Sequence, residues 1–216
     1  MGAVKTKRMP RAVREQQMLD AAVEIFGRRG YTAASMDEIA ELAGVSKPLV
    51  YLYLNSKEDL FLACVRREAR AVSEAVRAAV DPARPADRRL WDGLLAFFAH
   101  TGRHPHAWSV LHVQARTHGE VFAAEVAAYR AELVAFVAGL ILVAARETDR
   151  DRPLPAPDVT GLAEALVGAA ESLAAWANTT DGVTPRRAAA TLMNFAWSGL
   201  GGLLAGHPWS PPVPEA

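Results

Sequence analysis

An all-α fold is expected for this chain of 216 residues on three observations. Ala, Leu and Arg dominate and β-branched runs are scarce, a composition that favours helix almost throughout. Apolar residues recur at three- and four-residue spacing along most of the chain. Glycine and proline gather at the breaks between these periodic stretches. The length allows one large domain or two small ones, with a sizeable core. The expected order is a three-helix head, a long fourth helix, and a larger helical module.

Residues 1–14 contain Lys5, Lys7, Arg8, Arg11 and Arg14 and no acid. Such an arm, placed at residues 1–10, suits phosphate or minor-groove contact, or is simply solvated and disordered. From about Arg11 to Arg29, Met18, Leu19, Ala22, Val23 and Phe26 form one stripe of a first helix, and Gly27 and Gly30 bracket its end. Ser35 with Glu38 three residues later fits a capping box. Ile39, Leu42 and Ala43 share a face of the short helix that follows, and Gly44 supplies a left-handed stop. Ser46 can cap the next helix, Pro48 lies in its first turn, and Leu49, Val50 and Tyr53 recur at helical spacing. Two short helices around a Gly-containing turn form a helix-turn-helix, whose second helix can enter a DNA major groove. The head spans residues 11–56.

Ser56 and Asp59 mark the start of a long connecting helix over residues 57–80. Its apolar side holds Leu60, Phe61, Cys64, Val65, Ala69, Val72 and Val76, and Asp81-Pro82-Ala83-Arg84-Pro85 ends it. The second module, residues 81–206, continues with helices near 88–100, 106–117, 120–147, 158–178 and 185–205. Thr184 can cap the last of these with Pro185 in its first position. The tail, residues 207–216, has four prolines and is expected to be flexible.

The formal charge is zero, from 24 basic and 24 acidic residues, which argues against bulk architectural binding to nucleic acid. Cys64 is the single cysteine, so no intramolecular disulfide forms; its place on an apolar stripe suits a core residue. No signal peptide is evident. The most apolar stretch, Leu133 to Ala145, is expected to be too short to span a bilayer. A soluble, cytoplasmic protein without membrane partners is therefore expected. No nucleophile–base pair, Gly-rich phosphate loop or metal motif appears, which speaks against an enzyme. His100 and His104 have metal-compatible spacing, but Gly102 and Pro105 interrupt the region and no cysteine joins it; neither a metal nor a cofactor is expected.

Residues 11–64 resemble the DNA-binding head of TetR-type transcriptional regulators. The resemblance is carried, in order, by Ala21-Ala22-Val23-Glu24-Ile25-Phe26, Gly30-Tyr31-Thr32, Asp37-Glu38-Ile39-Ala40, Ala43-Gly44-Val45-Ser46-Lys47, Leu49-Val50-Tyr51 and Asn55-Ser56-Lys57-Glu58-Asp59-Leu60-Phe61. Leu54 departs from it, since the family pattern often has an aromatic there. Beyond Val80 the resemblance rests on helix count and order. It implies a sequence-specific DNA-binding regulator, most simply a repressor, whose C-terminal domain serves ligand binding and dimerisation. The implied partners are a palindromic operator in double-stranded DNA, an apolar or aromatic small-molecule effector, and a second copy bound through the last two long helices.

By matching positions, the resemblance assigns DNA contacts to Ser35, Ser46, Lys47, Pro48, Leu49, Tyr51, Tyr53 and Lys57. Lys47 and Lys57 can neutralise phosphates, the tyrosine hydroxyls can bond the backbone, and Pro48 and Leu49 can meet a thymine methyl or a sugar. No Arg, Asn or Gln lies within residues 46–54, so bidentate reading of guanine or adenine is closed to that helix. For the effector, the candidates are Trp91, Phe98, Trp108, His112, Phe122, Tyr129, Glu171 and Trp176, an apolar set with few polar anchors. Each aromatic also fits an ordinary core. Glu171 lies in a nearly apolar helical stretch, where a carboxylate needs a partner or stays protonated.

Overall fold

The computed structural model describes residues 10–147 and 154–204. The expected tail and all of the expected arm but Pro10 lie outside these residues. The elements are α1 (Arg11–Ala33), α2 (Met36–Leu42), α3 (Lys47–Leu54), α4 (Lys57–Ala79), α5 (Ala86–Arg103), α6 (Pro105–Ser109), a π-helical turn (Val110–Gln114), α7 (Ala115–Thr117), α8 (Glu120–Glu147), α9 (Ala156–Ala177) and α10 (Pro185–Leu204). No strand occurs among the described residues. The all-α expectation holds.

Local chemistry explains the ends of the head helices. Gly44 adopts φ 64°, a conformation open to glycine at no steric cost, and so ends α2. Ser35 caps α2, but its Oγ accepts from the Asp37 N–H at 3.1 Å. The reciprocal box expected with Glu38 is not formed, because the Glu38 carboxylate accepts from Arg29 instead. Ser46 precedes α3 without making a side-chain cap bond, whereas Ser56 Oγ accepts the Asp59 N–H at 2.9 Å. Helical geometry in α1 runs through Gly27 and fails only at Gly30, φ 78°.

The chain folds as two compact units, one from the described parts of Met1–Ala69 with Pro105–Val126, the other from those of Arg70–His104 with Ala127–Ala216. The sequence suggested a linear division near residues 57 and 81. The first compact unit also takes in a segment from the middle of the chain, and packing on α1 is the reason. A Cβ added at Gly27 would stand 2.6 Å from His106 Cβ, so α6 approaches α1 where there is no side chain to hold it off. Gln114, at the end of the π-helical turn, accepts the Tyr31 N–H at 3.1 Å. Phe122 packs edge-on against Phe61 at 4.8 Å and Tyr31 at 5.4 Å, and Phe61 meets Phe26 at 4.9 Å. Phe26, Phe61, Met18, Ile39, Leu60, Val50 and Val65 are fully buried, each worth about 1.5–3 kcal/mol relative to exposure. Cys64 is fully buried among them; burial pushes its thiol well above the ordinary range, which suits packing and not nucleophilic chemistry.

In the second unit α5 packs on α10 and α9. Val134, Ile141, Val159, Ala163 and Val167 join α8 to α9. Arg89, almost wholly buried, gives two hydrogen bonds to the Glu147 carboxylate, at 3.0 and 2.6 Å, and a third to the Pro82 carbonyl. The partner matters here, because a buried guanidinium left alone is strongly destabilising. One sequence expectation is corrected: α8 has 28 residues and is long and apolar enough, by length and composition, to cross a membrane. The reading of Leu133 to Ala145 as too short missed that the helix extends on both sides of that stretch.

Gly27→Ala should destabilise the chain by about 1–3 kcal/mol in urea unfolding, because its Cβ would meet backbone. Gly139→Ala, with nothing within 4 Å, should be neutral or stabilising by up to about 1 kcal/mol from helix propensity. Equal effects at the two positions would contradict the close approach at Gly27.

Candidate nucleic-acid interface and effector residues

Helix α3 presents two unlike sides. Val50 and Leu54, four residues apart, are buried against the head, while Lys47, Pro48, Tyr51 and Leu52 are exposed. Leu49 is half-buried, so the apolar contact expected from it has less surface to offer than its position suggested. Ser46 is exposed at the turn; Ser35 is half-buried with its hydroxyl already accepting a backbone N–H.

The two lysines assigned to phosphates both have partners within the head. Lys47 Nζ donates to Asp37 at 2.9 Å, and that hydrogen bond, with the charge behind it, raises the lysine's pKa. Both groups lie at the surface, where such a pair is worth little and exchanges readily. Lys57 Nζ donates to the Thr32 carbonyl at 3.2 Å and lies 4.9 Å from the centre of the Tyr31 ring. Partial burial lowers its pKa, and its ammonium is turned toward the end of α1. Tyr53 is half-buried under the Arg11 guanidinium, 5.0 Å from its ring centre. Asp37 and Arg11 thus orient two of the assigned residues. Sequence reading missed both, since partners ten and forty-two residues away leave no local spacing signal.

The effector candidates divide between the units. In the first, Trp108 stacks on His112 at 4.9 Å, and Phe122 belongs to the Tyr31–Phe61 cluster. In the second, Phe98 is buried edge-on to Phe97, Trp91 lies under Arg186, Tyr129 is half-buried, and Trp176 is exposed. Glu171 accepts from Arg130 Nε at 3.3 Å, and the same guanidinium also bonds Glu164. The arginine satisfies the carboxylate that the sequence marked as needing a partner; it is 41 residues away and was not identified from the sequence. No group of three or more His, Cys, Asp or Glu side chains suited to a metal occurs among the described residues. The His100 and His104 rings do approach, at 4.8 Å between centres.

Comparison with known proteins gives matches at both ends of the chain. A family model described as bacterial regulatory proteins, tetR family, matches residues 18–64, and one described as tetracyclin repressor-like, C-terminal domain, matches residues 86–199. The transcriptional activator FasR of Mycolicibacterium smegmatis is 32% identical over 200 residues, covering 92% of this chain and 88% of its own. A TetR-like regulator from Rhodococcus sp. RHA1 is 39% identical, with TM-score 0.73, covering 90% of this chain and all of its own. The regulator FadR of Bacillus subtilis, solved with stearoyl-CoA, shares the fold at 16% identity and TM-score 0.71, over 85% of this chain and 98% of its own. These relatives are transcriptional regulators, not enzymes.

Lys47→Ala should weaken binding to a random-sequence duplex and flatten the plot of log affinity against log salt by about one unit. Asp37→Asn, which releases the lysine, should strengthen the same binding. A salt slope unmoved by Lys47→Ala, read by fluorescence anisotropy, would remove Lys47 from the phosphate contacts. Burial, and then the charges of His104 and Arg103, hold His100 below the usual histidine range. Folding therefore disfavours its protonation: its contribution to stability is present above the ordinary histidine value and is lost as pH falls through the lower folded value. Thermal melts from pH 7 to 5 should show a smaller loss of Tm in His100→Gln than in the parent.

Proposed function

The chain belongs to the tetR family of bacterial regulatory proteins, and on that footing we propose that it is a homodimeric repressor released or engaged by a small-molecule effector. Members of the family are soluble DNA-binding transcriptional regulators. The finer reading places the protein in the cytoplasm, with α3 of each copy in successive major grooves of a palindromic operator. Ser35, Ser46, Lys47, Pro48, Leu49, Tyr51, Tyr53 and Lys57 form the contact surface, with the backbone-bonding groups setting register.

The observation that carries effector control is the seating of Pro105–Val126 on α1. The Tyr31 N–H bonded to Gln114, and the close approach of α6 at Gly27, give this segment from the middle of the chain a direct hold on the head. A ligand that favours another arrangement of that segment changes DNA affinity by its difference in affinity for the two states. The effector is apolar or aromatic, recognised by members of the set Trp91, Phe98, Trp108, His112, Phe122, Tyr129, Glu171 and Trp176. Dimerisation runs through α9 and α10, where Trp176 and Phe195 are exposed by 45% and 76%, apolar area that a second copy would cover. A second reading, in which occupancy raises transcription, is favoured by the name of the M. smegmatis relative, an activator.

The test is selection of genomic DNA fragments by the full chain, followed by a reporter driven from the enriched promoter, with stearoyl-CoA as an apolar-chain probe. A palindrome, lower reporter output with the protein present, and a several-fold change in operator affinity with the probe are expected; about 5- to 150-fold is ordinary for such coupling. Higher output would select the activator reading. An enriched site without two-fold symmetry would overturn the dimeric one.

A further inference from the structure

The recognition helix carries its most exposed apolar side chain at a position outside the assigned contact set. Leu52 is 72% exposed, against 39% for Tyr51 beside it. Its place on the helix explains this. Val50 and Leu54 form the inward stripe, and Leu52, two residues from each, lies half a turn away on the outermost line of α3. Pro48, four residues earlier on that same line, is also exposed. Three polar side chains of this face already have partners within the head, Lys47 with Asp37, Lys57 with Thr32 and Tyr53 under Arg11. The exposed Tyr51 beside it carries a hydroxyl suited to the DNA backbone. No Arg, Asn or Gln on α3 can form a bidentate pair with a base. An aliphatic side chain has one partner in the major groove that also distinguishes base pairs, the thymine C5-methyl group.

We propose that Leu52 is a specificity-determining residue of this protein, reading a thymine methyl in each half-site. The inference rests on the DNA-binding reading of α3. Leu52 packs on the methyl group and excludes water from it, so removing either partner removes the same preference. Leu49, half-buried, supports the helix, and Pro48 extends the apolar line along the groove. The methyl of 5-methylcytosine occupies the corresponding groove position and should satisfy Leu52 in the same way.

The test uses the full chain and a random-sequence duplex library, first as wild type, then as Leu52→Ala and Leu52→Met. Each thymine in the motif enriched by wild type is then replaced singly by deoxyuridine, which deletes only the methyl. One such replacement should weaken wild-type binding about fourfold, the worth of one buried methyl group. The same replacement should leave Leu52→Ala unaffected, while Leu52→Met, which keeps a long apolar chain, should retain most of the penalty. Because Leu52 is on the surface, circular dichroism melts of all three proteins should coincide. A Leu52→Ala protein that enriches the same motif with the same deoxyuridine penalty overturns the assignment and leaves DNA binding intact. An equal loss of affinity for every sequence also overturns it, by making Leu52 a backbone contact. If wild type enriches no motif, the DNA-binding reading fails as well.

Discussion

The packing of residues 105–122 on α1 is the constraint on which the first unit depends. Two glycines make it possible by different means. Gly27 leaves space for the α6 backbone, and Gly30 turns the chain so that the Tyr31 N–H points at Gln114. Phe122 then completes an aromatic cluster with Tyr31, Phe61 and Phe26, whose edge-to-face pairs add to the burial of their rings. A helix-turn-helix of short helices buries little apolar surface alone. Here its bracing helix is held from two sides, by α4 through Leu60, Phe61 and Cys64, and by the later segment. The Arg66 guanidinium, donating twice to Glu125, ties α4 to the start of α8 in the same unit.

That arrangement governs what the head can offer to DNA. The Lys57 ammonium follows Tyr31 and Thr32, so its direction is set by the end of α1. Lys47 is balanced by Asp37 at the surface, where water and salt make exchange for a phosphate easy. What α3 presents without exchange is a hydroxyl-bearing aromatic, Tyr51, and an aliphatic, Leu52. On the proposed reading, affinity from such a surface comes through the DNA backbone and the basic residues near it, and discrimination through methyl groups and the shape of the duplex.

Much of the candidate site was legible in the sequence because it depends on local chemistry. Gly44 and Pro48 act over a few residues, and the helices they imply are present at nearly the expected limits. The stripe expected at Leu49, Val50 and Tyr53 is instead buried at Val50 and Leu54, with Leu49 and Tyr53 half-buried. The pairings that orient the site were not legible. Asp37 with Lys47, Arg11 with Tyr53, and Arg130 with Glu171 join residues brought together by helix packing. The capping box at Ser35 shows the same limit at short range: its spacing was right, yet Arg29 from the end of α1 took the Glu38 carboxylate.

Periodicity, glycine and proline placement, and the ordered motif of residues 11–64 were sufficient for the all-α class, the helix-turn-helix and the family. Each is a property of the chain within a turn or two of helix, where backbone sterics and side-chain period decide the outcome. Tertiary structure alone decided that Pro105–Val126 belongs with the head, that segment 106–117 breaks into a π-helical turn, and that Leu52 rather than Leu49 stands outermost on α3. These depend on which faces meet. A stripe read from sequence says that a face will be covered, but only the packed neighbours say by what.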